Sequence, residues 1–174
     1  MNNKLHLYTG DGKGKTTAAM GLALRSLGHG NAVLVAQFMK TGNSGELTAL
    51  RRLGATVMTA EPVKGFTFRM DEAQKALTRA QQTAFARETI DAIRREKPAA
   101  IVLDELAVAI SSGMLEEDAA RTLIMAALES GETVVTGRNA PAWLEEAADY
   151  LSRIRAEKHP YATEGLSARE GVEW

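Results

Sequence analysis

The chain has 174 residues, 45% of them hydrophobic, and its 21 lysines and arginines nearly balance its 22 aspartates and glutamates, for a net charge of −1. This length and apolar content predict one domain over residues 1–174, and the balanced charge excludes a global field that would attract nucleic acid or a membrane surface. The absence of cysteine excludes disulfides and thiolate sites, and the lack of a signal-like or membrane-spanning apolar segment predicts a cytoplasmic protein.

The first strand is predicted at residues 4–8, where apolar side chains alternate, and the first helix at residues 16–27. Between them lies TGDGKGKTT, residues 9–17, which is typical of a phosphate-binding loop. Its three glycines allow successive backbone N–H groups to point at an anion, and the N-terminus of the next helix adds partial positive charge. The alternative is a glycine-rich turn without a ligand, since Thr9 stands where the G-x-x-x-x-G-K-[ST] pattern has glycine.

Two residues of this loop have distinct expected roles. Lys15 would contact the terminal phosphates of a nucleotide, and the Thr16 hydroxyl would bind a phosphate-bound Mg²⁺. The predicted phosphate-binding residues of the loop are Gly10, Asp11, Gly12, Lys13, Gly14, Lys15, Thr16 and Thr17.

The second strand is predicted at residues 32–38, a continuous apolar run of the kind found in parallel sheets that are covered on both faces. A polar loop at 40–45, a short helix at 46–53 and a third strand at 55–59 follow. Residues 61–70 fit neither element and are interpreted as a functional loop or a short edge strand.

A long helix is predicted to begin after Asp71, whose side chain can form a capping box with Gln74. It should end near Lys97 because Pro98 follows, and residues 99–103 then form another fully apolar strand. The next elements are predicted as a helix, a strand, a helix and a strand, at residues 115–128, 132–136, 140–149 and 150–156.

The last part of the chain has weaker signals. Asn139 is expected to cap the helix at 140–149. An irregular tail is expected from Lys158 onwards.

Strands that alternate with helices predict an α/β fold, a P-loop NTPase-like, three-layer arrangement with a mostly parallel, twisted sheet and helices on both faces. In such sheets, ligands bind beyond the carboxyl ends of the strands. Four segments should therefore meet at one rim, at residues 9–17, 37–40, 104–105 and 136–139.

Asp104 and Glu105 end an apolar strand, which is typical of an element that holds Mg²⁺ directly or through water. If both acids are extended they point in opposite directions, so only one would face the metal. The alternative is an acid pair that begins the next helix. Arg138 follows another strand at the same rim, where it would neutralise phosphate charge or simply be solvated.

Phe66 and Phe68 stand two residues apart and would share one face of an extended segment. They are interpreted either as core residues or as a flat apolar wall for a large planar ligand. Both interpretations fit a segment that also contains Pro62 and Gly65.

In these motifs the sequence resembles the P-loop class of ATP:corrinoid adenosyltransferases. The similar stretches follow the order of that family and are TGDGKGKTTAA at 9–19, AQFMK at 36–40, GFTF at 65–68, VLDEL at 102–106, VVTGRNAP at 134–141 and KHPY at 158–161. The family also tolerates threonine at the position of Thr9. This chain departs from the family at Phe68, where tryptophan is frequent, and in the segment after Tyr161, which has one extra residue.

The resemblance implies that the Co(I) of a reduced corrinoid attacks the 5′ carbon of ATP and expels triphosphate. It implies three catalytic residues, Lys15, Phe66 and Phe68, and a metal site formed by Thr16, Glu105 and Asp104. In this arrangement the aromatic pair covers the lower axial side of the corrin, and Glu105 lies nearer to Mg²⁺ than Asp104 does. Further implied partners are an electron donor, such as a flavodoxin or reduced flavin, and a second copy of the chain in a homodimer.

Two other functions stay open at this point. A P-loop ATPase or small-molecule kinase would use the same loop, but no residue can be assigned to position a water at the γ-phosphate. A nucleotide-binding module without chemistry would not need acids beside the metal.

Overall fold

The computed structural model describes residues 3–40, 44–62 and 70–172. The strands in these residues form one sheet and are Leu5–Thr9 (β1), Val33–Gln37 (β2), Thr56–Thr59 (β3), Ala100–Asp104 (β4), Glu132–Thr136 (β5) and Tyr150–Arg153 (β6). Neighbouring strands are parallel throughout, in the order β3-β2-β4-β5-β1-β6. This confirms the predicted α/β class and the predicted parallel sheet, and within the described ranges every strand pairing is parallel.

Helices cover both faces of the sheet. Within the described ranges they are Lys15–Gly28 (α1), Gly45–Arg52 (α2), Glu72–Glu96 (α3), Leu106–Ser111 (α4), Glu117–Ser130 (α5), Ala142–Ala147 (α6) and Pro160–Glu164 (α7). Helices α1 and α2 pack on one face, and α3 to α6 contribute to the core on the other. The three layers predicted from the alternation are therefore present. None of the helices described is long and apolar enough to cross a bilayer.

The central strands divide their side chains between the two helical layers. In β2, Val33 and Val35 belong to the core with α1 and α2, whereas Leu34 and Ala36 belong to the core with α3 and α5. Every residue of β2 and of β4 is buried, as their continuous apolar sequences predicted. Burial on both faces fixes these strands, and so fixes the positions of the polar residues at their carboxyl ends.

The long helix α3 begins as predicted. The Asp71 side chain accepts a hydrogen bond from the Gln74 N–H, and the Gln74 side chain accepts one from the Asp71 N–H. The helix ends before Lys97, which has a left-handed backbone with φ of 48° and precedes Pro98. At the other edge of the sheet, β6 stops at Arg153 and all four of its residues are exposed, because only β1 pairs with it.

Two helices lie where the main prediction from the sequence has none. Helix α4 begins directly after Glu105, and α7 lies in the tail that was interpreted as irregular. They have 6 and 5 residues, too few to show a helical period in the sequence. The helix predicted at 140–149 instead begins after Pro141, and Asn139 has a left-handed φ of 53° where an N-cap would be extended.

Candidate nucleotide-binding site

The four segments predicted to meet at one rim do lie together, at the carboxyl ends of β1, β2, β4 and β5. In the sheet register Gln37 is paired with Asp104, and Tyr8 with Thr136. A cleft of about 1030 Å³ opens above this rim, at the upper end of the roughly 300–1,000 Å³ of small-molecule sites. The residues predicted to bind ligand that line it are Gly12, Lys13, Gly14, Lys15, Thr16, Thr17, Glu105 and Arg138.

The first two glycines of the loop pack against the chain that follows β6, although Gly12 also lines the cleft. The Ile154 N–H donates to the Thr9 carbonyl at 2.8 Å, and the Ile154 carbonyl accepts from the Gly12 N–H at 2.8 Å. A Cβ at Gly10 would overlap the Ile154 carbonyl, and one at Gly12 would lie 2.7 Å from the Arg155 carbonyl. The lack of a side chain at Gly10 and Gly12 therefore lets the backbone after β6 pack closely against the loop. The predicted ligand residues Gly10 and Asp11 lie outside the cleft lining, and the Asp11 carboxylate is 3.4 Å from the Ala156 N–H.

Gly14 is the glycine that leaves the loop open. It is the N-cap of α1, has φ of 116°, and a Cβ there would meet no atom within 4 Å. The left-handed backbone, which favours glycine, turns the chain so that the N-terminus of α1 faces the cleft. Beside it, the Lys15 ammonium donates to the Gly12 carbonyl at 2.7 Å. The loop thus has the open cradle and the lysine that the sequence predicts for phosphate binding.

Alanine at Gly12 should destabilise the protein by about 1–3 kcal/mol, because its Cβ would press on the backbone that braces the loop. Alanine at Gly21, an exposed position in α1 where a Cβ meets nothing within 4 Å, is the matched control. It should stabilise the protein by roughly 0.5–1 kcal/mol through helix propensity. Urea unfolding measures both; equal effects at the two positions would contradict the bracing role of Gly12.

Asp104 is the most densely bonded acid at the rim and is fully buried. Its Oδ1 accepts hydrogen bonds from the hydroxyls of Thr16 at 2.9 Å and Thr136 at 2.7 Å. Its Oδ2 accepts from the Gln37 amide at 2.9 Å and from the Lys40 ammonium at 2.8 Å. Both oxygens are therefore occupied, and the carboxylate joins the phosphate loop to β2 and β5.

Glu105 turns toward the same point. It has a left-handed backbone with φ of 59°, and its Oε1 lies 3.5 Å from the Lys40 Nζ. The two acids were expected to point in opposite directions only if both were extended, and the left-handed Glu105 does not meet that condition. The acid pair also precedes α4, as its alternative interpretation proposed, with Glu105 as the N-cap. The turn at Glu105 therefore begins α4 and also brings the carboxylates of Asp104 and Glu105 close to the Lys40 ammonium.

Burial and charge shift the pKa values of these groups in opposite directions. Burial would raise the pKa of Asp104, but the Lys40 ammonium and the donated hydrogen bonds hold it below its usual value. Burial raises the pKa of Glu105, and Lys40 only partly offsets this. Burial, and next the charge of Arg138, lower the pKa of Lys15. The Lys15 ammonium is thus unfavourable in the free protein, a cost that a bound polyanion would relieve.

Two polar residues at the end of β2 were not assigned a role from the sequence. Gln37 and Lys40 both line the cleft and both donate to Asp104. The available signal was their position at the carboxyl end of a buried strand, which placed them at the rim without showing which acid they contact. The contact of Lys40 with both acids is the feature of the rim that sequence reasoning missed.

The C-terminal tail also reaches the cleft. His159 and Val172 line it, and the Lys13 ammonium donates to the Val172 carbonyl at 3.0 Å. The tail thus covers part of the phosphate loop, although its sequence departs from the family pattern after Tyr161.

A comparison with known proteins identifies the family. The model described as ATP:corrinoid adenosyltransferase BtuR/CobO/CobP matches residues 2–174. The chain belongs to this family. The corrinoid adenosyltransferase of Pseudomonas aeruginosa is 34% identical over 171 residues, which cover 98% of this chain and 83% of that protein. The corrinoid adenosyltransferase CobA of Salmonella typhimurium is 32% identical over 171 residues, 97% of this chain and 84% of its own length.

The corrinoid adenosyltransferase of Escherichia coli K12 is similar to the same extent, 31% identical over 173 residues. Membership of the family confirms the resemblance drawn from the motifs. It makes the protein an enzyme that transfers an adenosyl group from ATP to a corrinoid, and it does not favour an ATPase or a kinase. The aromatic pair assigned to the corrin, Phe66 and Phe68, lies outside the described residues.

Proposed function

We propose that this corrinoid adenosyltransferase holds the triphosphate of ATP in the cleft while Co(I) of a reduced corrinoid attacks the 5′ carbon, so that intact triphosphate leaves. The observation that carries this proposal is the concentration of positive charge. Lys13, Lys15, Lys40 and Arg138 all line one cleft, above a loop whose cradle is open at Gly14. Charge-assisted hydrogen bonds from such groups suit the oxygens of a polyphosphate.

The chemistry asks little of the protein beyond alignment and charge neutralisation. The electron pair of Co(I) forms the cobalt–carbon bond, the bond from the 5′ carbon to its oxygen breaks, and that electron pair leaves on triphosphate. No proton is transferred in this step. Lys15 and the N-terminus of α1 would bind the leaving group, which carries more negative charge as the bond breaks.

We place Mg²⁺ at Thr16 and Glu105, with Asp104 behind Thr16. The Thr16 hydroxyl donates its hydrogen to Asp104, which turns its lone pairs toward a cation, and in the free protein one of them accepts from the Lys40 ammonium at 3.1 Å. Gln37 Oε1 is buried, has no hydrogen-bond partner among the described residues, and would suit a metal-bound water. Among the described residues no group of three or more His, Cys, Asp or Glu could hold a metal, so the protein ligands proposed here are a hydroxyl and a carboxylate, completed by water or phosphate oxygens. Mg²⁺ bound at Thr16 and Glu105 would neutralise part of the negative charge of the triphosphate.

The residues that would contact the corrin ring are likewise proposed. Phe66 and Phe68 would form the apolar lower wall that favours cobalt without its axial base and so makes reduction to Co(I) easier. An electron donor such as a flavodoxin or reduced flavin, a homodimer and a cytoplasmic location likewise stay predictions.

Turnover should require reduced corrinoid and should yield intact triphosphate in proportion to adenosylated corrinoid, because attack at the 5′ carbon leaves all three phosphates joined. The enzyme, ATP, Mg²⁺ and chemically reduced cobalamin are incubated together, adenosylcobalamin is followed by its absorption, and phosphorus NMR identifies the phosphate products. A reaction without corrinoid is the control. Corrinoid-independent ADP as the main product would instead establish a hydrolase or kinase.

The same assay tests the aromatic pair. Phe66→Ala and Phe68→Ala should slow turnover of Co(II) supplied with a reductant more than turnover of preformed Co(I). Normal activity with both substrates, together with a lowered unfolding temperature, would make the two residues part of the core.

A further inference from the structure

We propose that Lys40 is a built-in counter-ion that takes the place of Mg²⁺ in the nucleotide-free enzyme and is displaced when Mg–ATP enters. Its ammonium lies 2.8 Å from Asp104 Oδ2, 3.1 Å from Thr16 Oγ1 and 3.5 Å from Glu105 Oε1. These three residues are the ones assigned above to the metal site. The inference therefore rests on the proposed function and adds a residue to it.

A specific backbone conformation directs Lys40 to this position. The preceding residue, Met39, has a left-handed backbone with φ of 57°, which is rare for a residue that is not glycine. The Met39 N–H donates to the Oε1 of Gln82, a fully buried residue of α3, at 3.4 Å. Strained conformations of this kind persist where the surrounding structure holds them, and they concentrate at functional sites. The turn points the lysine back over the end of β4.

Lys40 and a metal ion cannot use these oxygens together. Mg²⁺ requires oxygen ligands at about 2.0–2.1 Å, and the ammonium occupies the space between them. Asp104 is fully buried, so it requires a cation beside it whether or not nucleotide is present. Lys40 supplies that cation in the free protein. When Mg²⁺ displaces the Lys40 ammonium, the side chain still lies in the cleft. There the oxygens of the triphosphate can accept its hydrogen bonds.

A second observation indicates that the Lys40 ammonium substitutes for a metal ion. Gln37 is 1% exposed and lines the cleft, and its Oε1 receives no hydrogen bond from the part of the chain that the structure describes, although its Nε2 donates to Asp104. A buried acceptor without a donor is costly. A metal ion with bound water would provide the missing donor, whereas the ammonium serves only the acids and Thr16.

The test is a titration with Mn²⁺ in the absence of nucleotide and corrinoid. Binding is measured as the loss of the EPR signal of free Mn²⁺. Lys40→Met removes the competing charge and should bind Mn²⁺ at least about tenfold more tightly than the parent, because like charges a few ångströms apart repel strongly even at a partly exposed site. Lys40→Arg keeps the charge and should stay at the weak parental level. Adding Glu105→Gln to Lys40→Met should abolish the gain.

Lys75→Met is the control for loss of a lysine elsewhere, since Lys75 pairs with Glu72 at the start of α3. It should leave Mn²⁺ binding unchanged. Should Lys40→Met fail to fold, Lys40→Gln keeps a donor for Asp104 without the charge and should show the same gain. In the parent itself, saturating Mn²⁺ should raise the rate at which an amine-reactive reagent labels Lys40 but not Lys75, measured by mass spectrometry.

Parental Mn²⁺ affinity in a folded Lys40→Met or Lys40→Gln variant, or unchanged labelling of Lys40 in the parent, would overturn the displacement. Neither measurement uses ATP turnover or corrinoid, so failure here leaves adenosyl transfer intact. Failure to form adenosylated corrinoid would conversely overturn the proposed function without deciding where Lys40 lies.

Discussion

Replacement of Lys15 by alanine is expected to weaken ATP binding by roughly 2 kcal/mol, about 30-fold in Kd. The residue is 8% exposed and lies against the loop, so its charge would act on phosphate with little screening by water. Burial and Arg138 already disfavour its ammonium in the free protein, as its lowered pKa shows. The binding of an anion therefore removes an existing cost as well as forming a new contact. Titration calorimetry measures the change.

Lys13→Ala is the matched control, because Lys13 belongs to the same loop and lines the same cleft but is exposed. Its contribution should be smaller than that of Lys15, since interactions in water are screened. Unfolding temperatures near the parental value would show that both changes act on binding. Equal ATP affinity in the parent and Lys15→Ala would refute the assignment of residues 9–17 to the triphosphate.

Replacement of Asp104 by asparagine should reduce the free energy of unfolding by about 3 kcal/mol, the low end of the range for breaking a buried ion pair. The low end applies because the Lys40 side chain is 34% exposed whereas that of Asp104 is fully buried. The variant also presents an amide N–H₂ to a pocket in which every neighbour is a donor. Urea denaturation at neutral pH measures the loss.

Glu105→Gln is the control at the adjacent position, and the two acids should differ in sign as well as size. The pKa of Asp104 is lowered, so its negative charge stabilises the fold, whereas the pKa of Glu105 is raised by burial, so its negative charge opposes folding. We therefore expect Glu105→Gln to match the parent or to exceed its free energy of unfolding by up to about 1 kcal/mol. A loss at Glu105 as large as that at Asp104 would contradict this division.

Much of the fold could be predicted because it depends on local pattern. The continuous apolar sequences of β2 and β4 predicted burial on both faces, and the capping box of Asp71 and Gln74 fixed the start of α3. Helices α4 and α7 were missed, since 6 and 5 residues are too short for a periodic signal. The motifs also gave the family, because several short stretches in a fixed order are far more specific than a phosphate loop alone.

Within the site, the sequence by itself determined the chemistry available and the rim on which it lies. The loop at 9–17 and the acids at 104–105 follow strands, and parallel strands bring their carboxyl ends together. Only the tertiary structure decided how these groups pair. Glu105 and Met39 take left-handed backbones that no local pattern indicated, and those turns bring Lys40 onto both acids. Such conformations are unfavourable locally and persist because long-range packing holds them, so a local pattern does not show them.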